Sequence, residues 1–78
     1  MTLEQASKGS RVRVLKRASG HRFASSLDGM GIHVGDELLV VGYAPFHGPI
    51  LVEIPSSGVR VALGRGMAEK LHVEPVEA

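Results

Sequence analysis

Residues 29–35, Gly-Met-Gly-Ile-His-Val-Gly, resemble at first sight a glycine-rich loop that could cradle a phosphate. A dinucleotide-binding loop needs a strand, then the glycine turn, then a helix whose N-terminus faces the phosphates. Here the order is reversed, with a helical pattern before the glycines and an apolar strand pattern after them. The spacing is also one residue too long, and the chain contains no G-x-x-x-x-G-K-[ST]. Gly64-Arg65-Gly66 does precede a helical pattern, but a lone G-x-G is weak. The glycines of 29–35 therefore read as a helix stop followed by a turn.

Metal chemistry would have to come from histidine and carboxylates, because the chain has no cysteine. The histidines are His21, His33, His47 and His72, and no pair has the i, i+3 or i, i+4 spacing of two ligands on one helix face. His33 and Asp36 fall in one turn and His47 in another. These three are the candidate ligands for a divalent metal, to be gathered by the fold if at all. Surface histidines in loops are the competing expectation. Serines are plentiful, but no nucleophile elbow accompanies them, and so small a domain leaves little room for a catalytic pocket. The expectation is a protein that is not an enzyme.

Recognition chemistry is better represented. In Ala-Pro-Phe-His-Gly-Pro, residues 44–49, an aromatic sits on a turn between prolines and a glycine. Phe46 there either anchors a partner or folds back to cap the core. Arg11, Arg13, Lys16, Arg17 and Arg22 form a basic cluster, as in small barrels that bind RNA. However, stacking aromatics are nearly absent and the net charge is only +1. A solvated face is expected, with no nucleic-acid partner.

The elements that must position these residues follow from periodicity. Thr2 and Gln5 suit a capped helical turn at the start. Arg11-Val12-Arg13-Val14 alternates as a strand with one wet face. Phe23, Leu27 and Met30 fall on one helical face, with Ser19 as N-cap and Gly29 or Gly31 as the stop. Residues 36–45 are apolar on nearly every position, as in a central strand covered on both faces. Ile50, Val52 and Ile54 alternate in the next strand. Pro55-Ser56-Ser57-Gly58 makes a hairpin loop, and Val59, Val61 and Leu63 point inward in the strand that returns. A short helix around Met67 and Leu71 leads to a last strand at residues 72–76. Pro75 in it is tolerable only at an edge or strand end.

Seventy-eight residues make one domain, 1–78, with a small core that must be aliphatic because aromatics are 4%. Connections this short favour antiparallel pairing. The predicted fold is mainly β with short helices: a small five-stranded, SH3-like barrel with an inserted helix, its sheet closed to hide the edges. No apolar run reaches membrane-spanning length, so neither a signal sequence nor direct membrane insertion is expected. The absence of cysteine leans toward a cytoplasmic location.

Two long stretches carry a family pattern. Residues 26–54 hold a helix ending in Leu-x-x-Met-Gly-Ile, then a glycine before a long apolar strand, Ala-Pro-x-x-Gly-Pro and Val-Glu-Ile. Residues 59–73 add a Leu-x-x-x-x-Ala segment before the last strand. With the opening Thr-Leu-Glu-Gln-Ala, the pattern covers about residues 2–74 and closely resembles the ferrous iron transport protein A (FeoA) family. The resemblance implies a non-enzymatic, cytosolic accessory protein of bacterial ferrous iron uptake. Its expected partner is FeoB, a membrane transporter with a GTPase domain. A similar barrel ends some metal-dependent repressors, but this chain lacks their helix-turn-helix. Carried onto this chain, the resemblance points to the turn 44–49 and the helix 20–30 as the interacting surface. Arg22, Leu27, Pro45, Phe46, His47 and Arg65 are its candidate contacts. The alternative is a regulator or carrier binding Fe(II), or another divalent transition metal, through His33, Asp36 or His47. Self-association into a homo-oligomer is a third use of an exposed apolar loop.

Overall fold

The computed structural model describes residues 1–17 and 27–76. Five antiparallel strands form one sheet in the order β4-β3-β2-β1-β5. They are β1 (Arg11–Arg17), β2 (Glu37–Tyr43), β3 (Ile50–Ile54), β4 (Val59–Leu63) and β5 (Leu71–Pro75). A 3-10 turn, Leu3–Gln5, precedes β1, and a short helix, α1 (Arg65–Glu69), joins β4 to β5. The mainly β, SH3-like architecture is as the sequence predicts. The sheet, however, is not closed: β4 and β5 lie at opposite edges and do not pair.

Alternation built the strands where it was clean. In β1, Val12 and Val14 are buried while Arg11 and Arg13 are exposed. In β3, Ile50, Val52 and Ile54 are buried. They pack with Leu38 and Val40 of β2, Leu63 of β4, and Leu71 and Val73 of β5 into one aliphatic core. Leu3 and Ala68 close it at the turn and helix. Removing this much aliphatic surface from water is the main favourable term for a chain without disulfides.

Two expectations need correcting. β2 is the central strand, but only Leu38 and Val40 are buried, and its other positions are half-buried. An open sheet has nothing to cover its second face. Val59 is 47% exposed and Val61 half-buried, so of the inward-pointing residues expected in β4 only Leu63 is buried. Val59 and Val61 lie on an edge strand, and Val59 is also next to the hairpin loop.

The glycine stretch behaves as a helix stop. Residues 27–30 are helical. The N–H of Ile32 donates to the carbonyl of Leu27 at 2.9 Å, and that of Gly31 to Asp28 at 3.1 Å. Gly31 has φ +81°. This is a Schellman motif, with Gly31 in the left-handed position and buried Ile32 close behind it. The rest of the helix expected over residues 20–30, with Arg22 and Phe23, lies outside the described residues.

Candidate interaction surface

Residues 44–49 join β2 to β3 at the end of the sheet where Tyr43 faces Ile50. The N–H of Ala44 donates to the Pro49 carbonyl at 3.0 Å, and that of Gly48 to Pro45 at 3.1 Å. The two residues inside the tighter turn, Phe46 and His47, have φ of +58° and +56°. Positive φ at both central positions is the pattern of a type I′ turn, which normally takes Asn-Gly. Here a bulky aromatic adopts it, which is unfavourable, beside a histidine, which tolerates it better than most residues. Gly48 is required for a different reason: a Cβ there would lie 2.8 Å from the Ala44 Cβ and 3.0 Å from the Pro45 oxygen.

The turn displays Phe46 at 98% exposure, which settles the choice between anchor and cap against the cap. Pro45 and His47 are exposed beside it. Arg65, half-buried at the start of α1, braces the turn from below. Its Nε donates to the Gly48 carbonyl at 3.0 Å, and its guanidinium lies 5.3 Å from the centre of the Tyr43 ring. Such a cation over an aromatic face is attracted by the ring quadrupole. Beside the turn is an open hollow of about 410 Å3, lined by Val41, Gly42, Tyr43, Ala44, Pro49, Leu51 and Ala62. Aromatic residues are enriched at the buried centres of protein interfaces.

The other candidates are arranged differently. Leu27 is completely buried, so it belongs to the core and not to the surface. Its helical spacing was correctly apolar, but the face it marks is the one turned inward. His33 and Asp36 do meet: the imidazole Nδ1 is 3.4 Å from the Asp36 carboxylate, which also accepts the His33 backbone N–H at 2.9 Å. Asp28 stands 3.8 Å from the other ring nitrogen and is itself paired with Arg17 at 3.2 Å. His47 does not join them. It lies beyond the far end of the seven-residue β2, about 20 Å away at the rise of a strand. Among the described residues, no group of three or more histidines, cysteines and carboxylates is placed to hold a metal ion. In the basic cluster, Arg13 stands opposite Glu37 on β2 and Glu74 on β5. Together with the Arg17–Asp28 pair, this breaks up the positive face.

The Arg65 brace and the hollow were not legible in the sequence, since both depend on which strands become neighbours. Among the described residues, no helix is long and apolar enough to cross a membrane.

The fold and this surface define a small SH3-like module with an exposed aromatic turn and an apolar hollow at one end of its sheet. Residues 1–75 match the family model of the FeoA domain, and the chain belongs to the FeoA family. A Methanocaldococcus jannaschii protein assigned as Fe(2+) transport protein A is 35% identical over 72 residues, 92% of this chain and 83% of that protein. The solution structure of iron(II) transport protein A from Clostridium thermocellum superposes with a TM-score of 0.89 at 28% identity. It covers 97% of this chain, which spans 46% of that one. A crystal structure of an iron uptake regulatory protein, FeoA, gives a TM-score of 0.84 at 28% identity, covering 96% of this chain and 95% of the other. The family is one of Fe(2+) transport and is not an enzyme family.

Proposed function

We propose that this protein is a non-catalytic, cytosolic accessory module of ferrous iron uptake that docks on a FeoB-type membrane transporter carrying a GTPase domain. The observation that carries this reading is Phe46, 98% exposed on a turn that holds it in an unfavourable backbone conformation. Backbone strain in a surface turn persists only where the surroundings enforce it, and it concentrates at functional sites. The prolines, Gly48 and the Arg65 brace do the enforcing. Pro45, His47 and the apolar hollow form the surrounding contact surface, and Arg65 supplies a polar contact; Arg22, also a candidate, lies outside the described residues.

The test is binding of the purified chain to the detergent-solubilised transporter, with wild type and Phe46→Ala compared. Phe46 contributes almost nothing to the core, so the variant folds normally by circular dichroism. Its affinity falls about thirty-fold or more, the effect of losing an anchor worth about 2 kcal/mol. Wild-type affinity in the variant refutes the reading.

The metal-regulator reading has one observation in its favour, the contact of His33 with Asp36 and Asp28. Anaerobic Fe(II) titration separates the two readings. Saturable heat with shifted His33 and Asp36 resonances favours the regulator, and their absence favours docking alone.

A further inference from the structure

We infer that β4 is a self-association edge, and that two copies of this chain join by pairing their β4 strands antiparallel about a two-fold axis at Val61. Among the described residues, β4 pairs only with β3, in unbroken register from Ile50↔Leu63 to Ile54↔Val59. The opposite edge is covered. Thr2 bridges to His72 of β5, and the Val73 N–H donates to the Met1 carbonyl at 2.8 Å. Among the described residues, the sheet can therefore be extended on one side only.

Nothing in β4 blunts it in the usual ways. It has no proline and no bulge. Its one charge, Arg60, is turned toward Glu53 on β3, with Nε 3.1 Å from the carboxylate. Val59 is 47% exposed, and Ala62 is exposed at the rim of the apolar hollow.

The charge pattern excludes one register and is compatible with the one centred on Val61. With the axis at Val61, Arg60 stands opposite Ala62 of the second copy, and Val59 opposite its Leu63. The arginine then meets no like charge, its pair with Glu53 is kept, and the exposed valine is covered. An axis at Arg60 would set two guanidinium groups directly against each other, which is unfavourable. Because β5 is already covered, the assembly closes at two copies and does not grow into a fibre. The dimer seam takes in Ala62 at one rim of the hollow and leaves the Phe46 turn outside it, so a dimer displays two such turns and gains avidity for a partner with more than one site.

Sedimentation equilibrium of the full chain, from micromolar to millimolar concentration, tests this. The expected result is a concentration-dependent monomer–dimer equilibrium that stops at two copies. Ala62→Glu places a carboxylate opposite Arg60 twice by symmetry and tightens the dimer. Ala62→Arg weakens it, each by on the order of tenfold. Residue 62 is exposed, and circular dichroism checks that the variants fold. Phe46→Ala leaves the dimer unchanged, which keeps this test separate from the docking reading. A chain that stays monomeric throughout overturns the proposal. So does a mass that rises past two copies, or Ala62→Glu and Ala62→Arg acting in the same direction.

Discussion

Replacing Phe46 and His47 together by Asn and Gly should make the protein more stable and less able to bind. Both residues sit at positive φ, near +58° and +56°. For an ordinary L-residue that region costs about 1–2 kcal/mol, because Cβ crowds the following carbonyl oxygen. Asn tolerates it, and Gly has no Cβ to crowd. Gly in turn gives back about 0.5–1 kcal/mol through greater freedom of the unfolded chain. Little packing is lost, since Phe46 is 98% exposed and His47 is exposed as well. The balance is a gain of roughly 1–2 kcal/mol, or about 5–15 °C in melting temperature for a domain of this size. Thermal unfolding followed by circular dichroism reads it directly, and the same samples are assayed against the transporter. A melting temperature that stays the same or falls would refute the reasoning, because the turn would then not be strained. Raised stability with undiminished binding would keep the strain but remove its functional purpose.

Gly48→Ala should lower stability by about 1–3 kcal/mol, since the new Cβ has to displace Ala44 or the Pro45 carbonyl. It should also weaken transporter binding by moving Phe46, although residue 48 is only half-exposed; chemical denaturation and the binding assay read the two effects. Leu27→Ala should cost about 2–5 kcal/mol, because the side chain is fully buried. Any loss of binding in that variant should track the folded fraction measured in urea, whereas an affinity loss in fully folded protein would return Leu27 to the surface.

Features with local causes were legible in the sequence. The strand of Val12 and Val14 and that of Ile50, Val52 and Ile54 follow from alternation alone. A glycine stop at Gly29 or Gly31 follows from the one residue type that takes a left-handed conformation without strain, and the structure places it at Gly31. The Gln5 side chain accepts the Thr2 N–H at 2.9 Å, as the capping pattern anticipates. What failed depended on neighbours. Val59 has the pattern of an inward residue, but no local signal says that its strand lies at an open edge. Leu27 lies on a correctly apolar helical face, and periodicity cannot tell a face turned to the core from one turned to a partner.

Phe46 is the instructive mixture. Its place on a turn was legible, but its positive φ was not, because neither Phe nor His signals a type I′ turn. A sequence in which every local preference agrees with the fold needs no such residue there. Asn-Gly would have closed the same hairpin at lower cost, and the domain is small enough to feel the difference. Arg65 sharpens the point, since its one hydrogen bond to Gly48 and its position over Tyr43 both act to hold this turn in place. A residue at odds with its own backbone, supported from below and 98% exposed, is what supports the proposed docking on this turn. That is the physical reason for proposing the interaction at this end of the sheet and not at the glycines of 29–35, where positive φ falls on glycines alone.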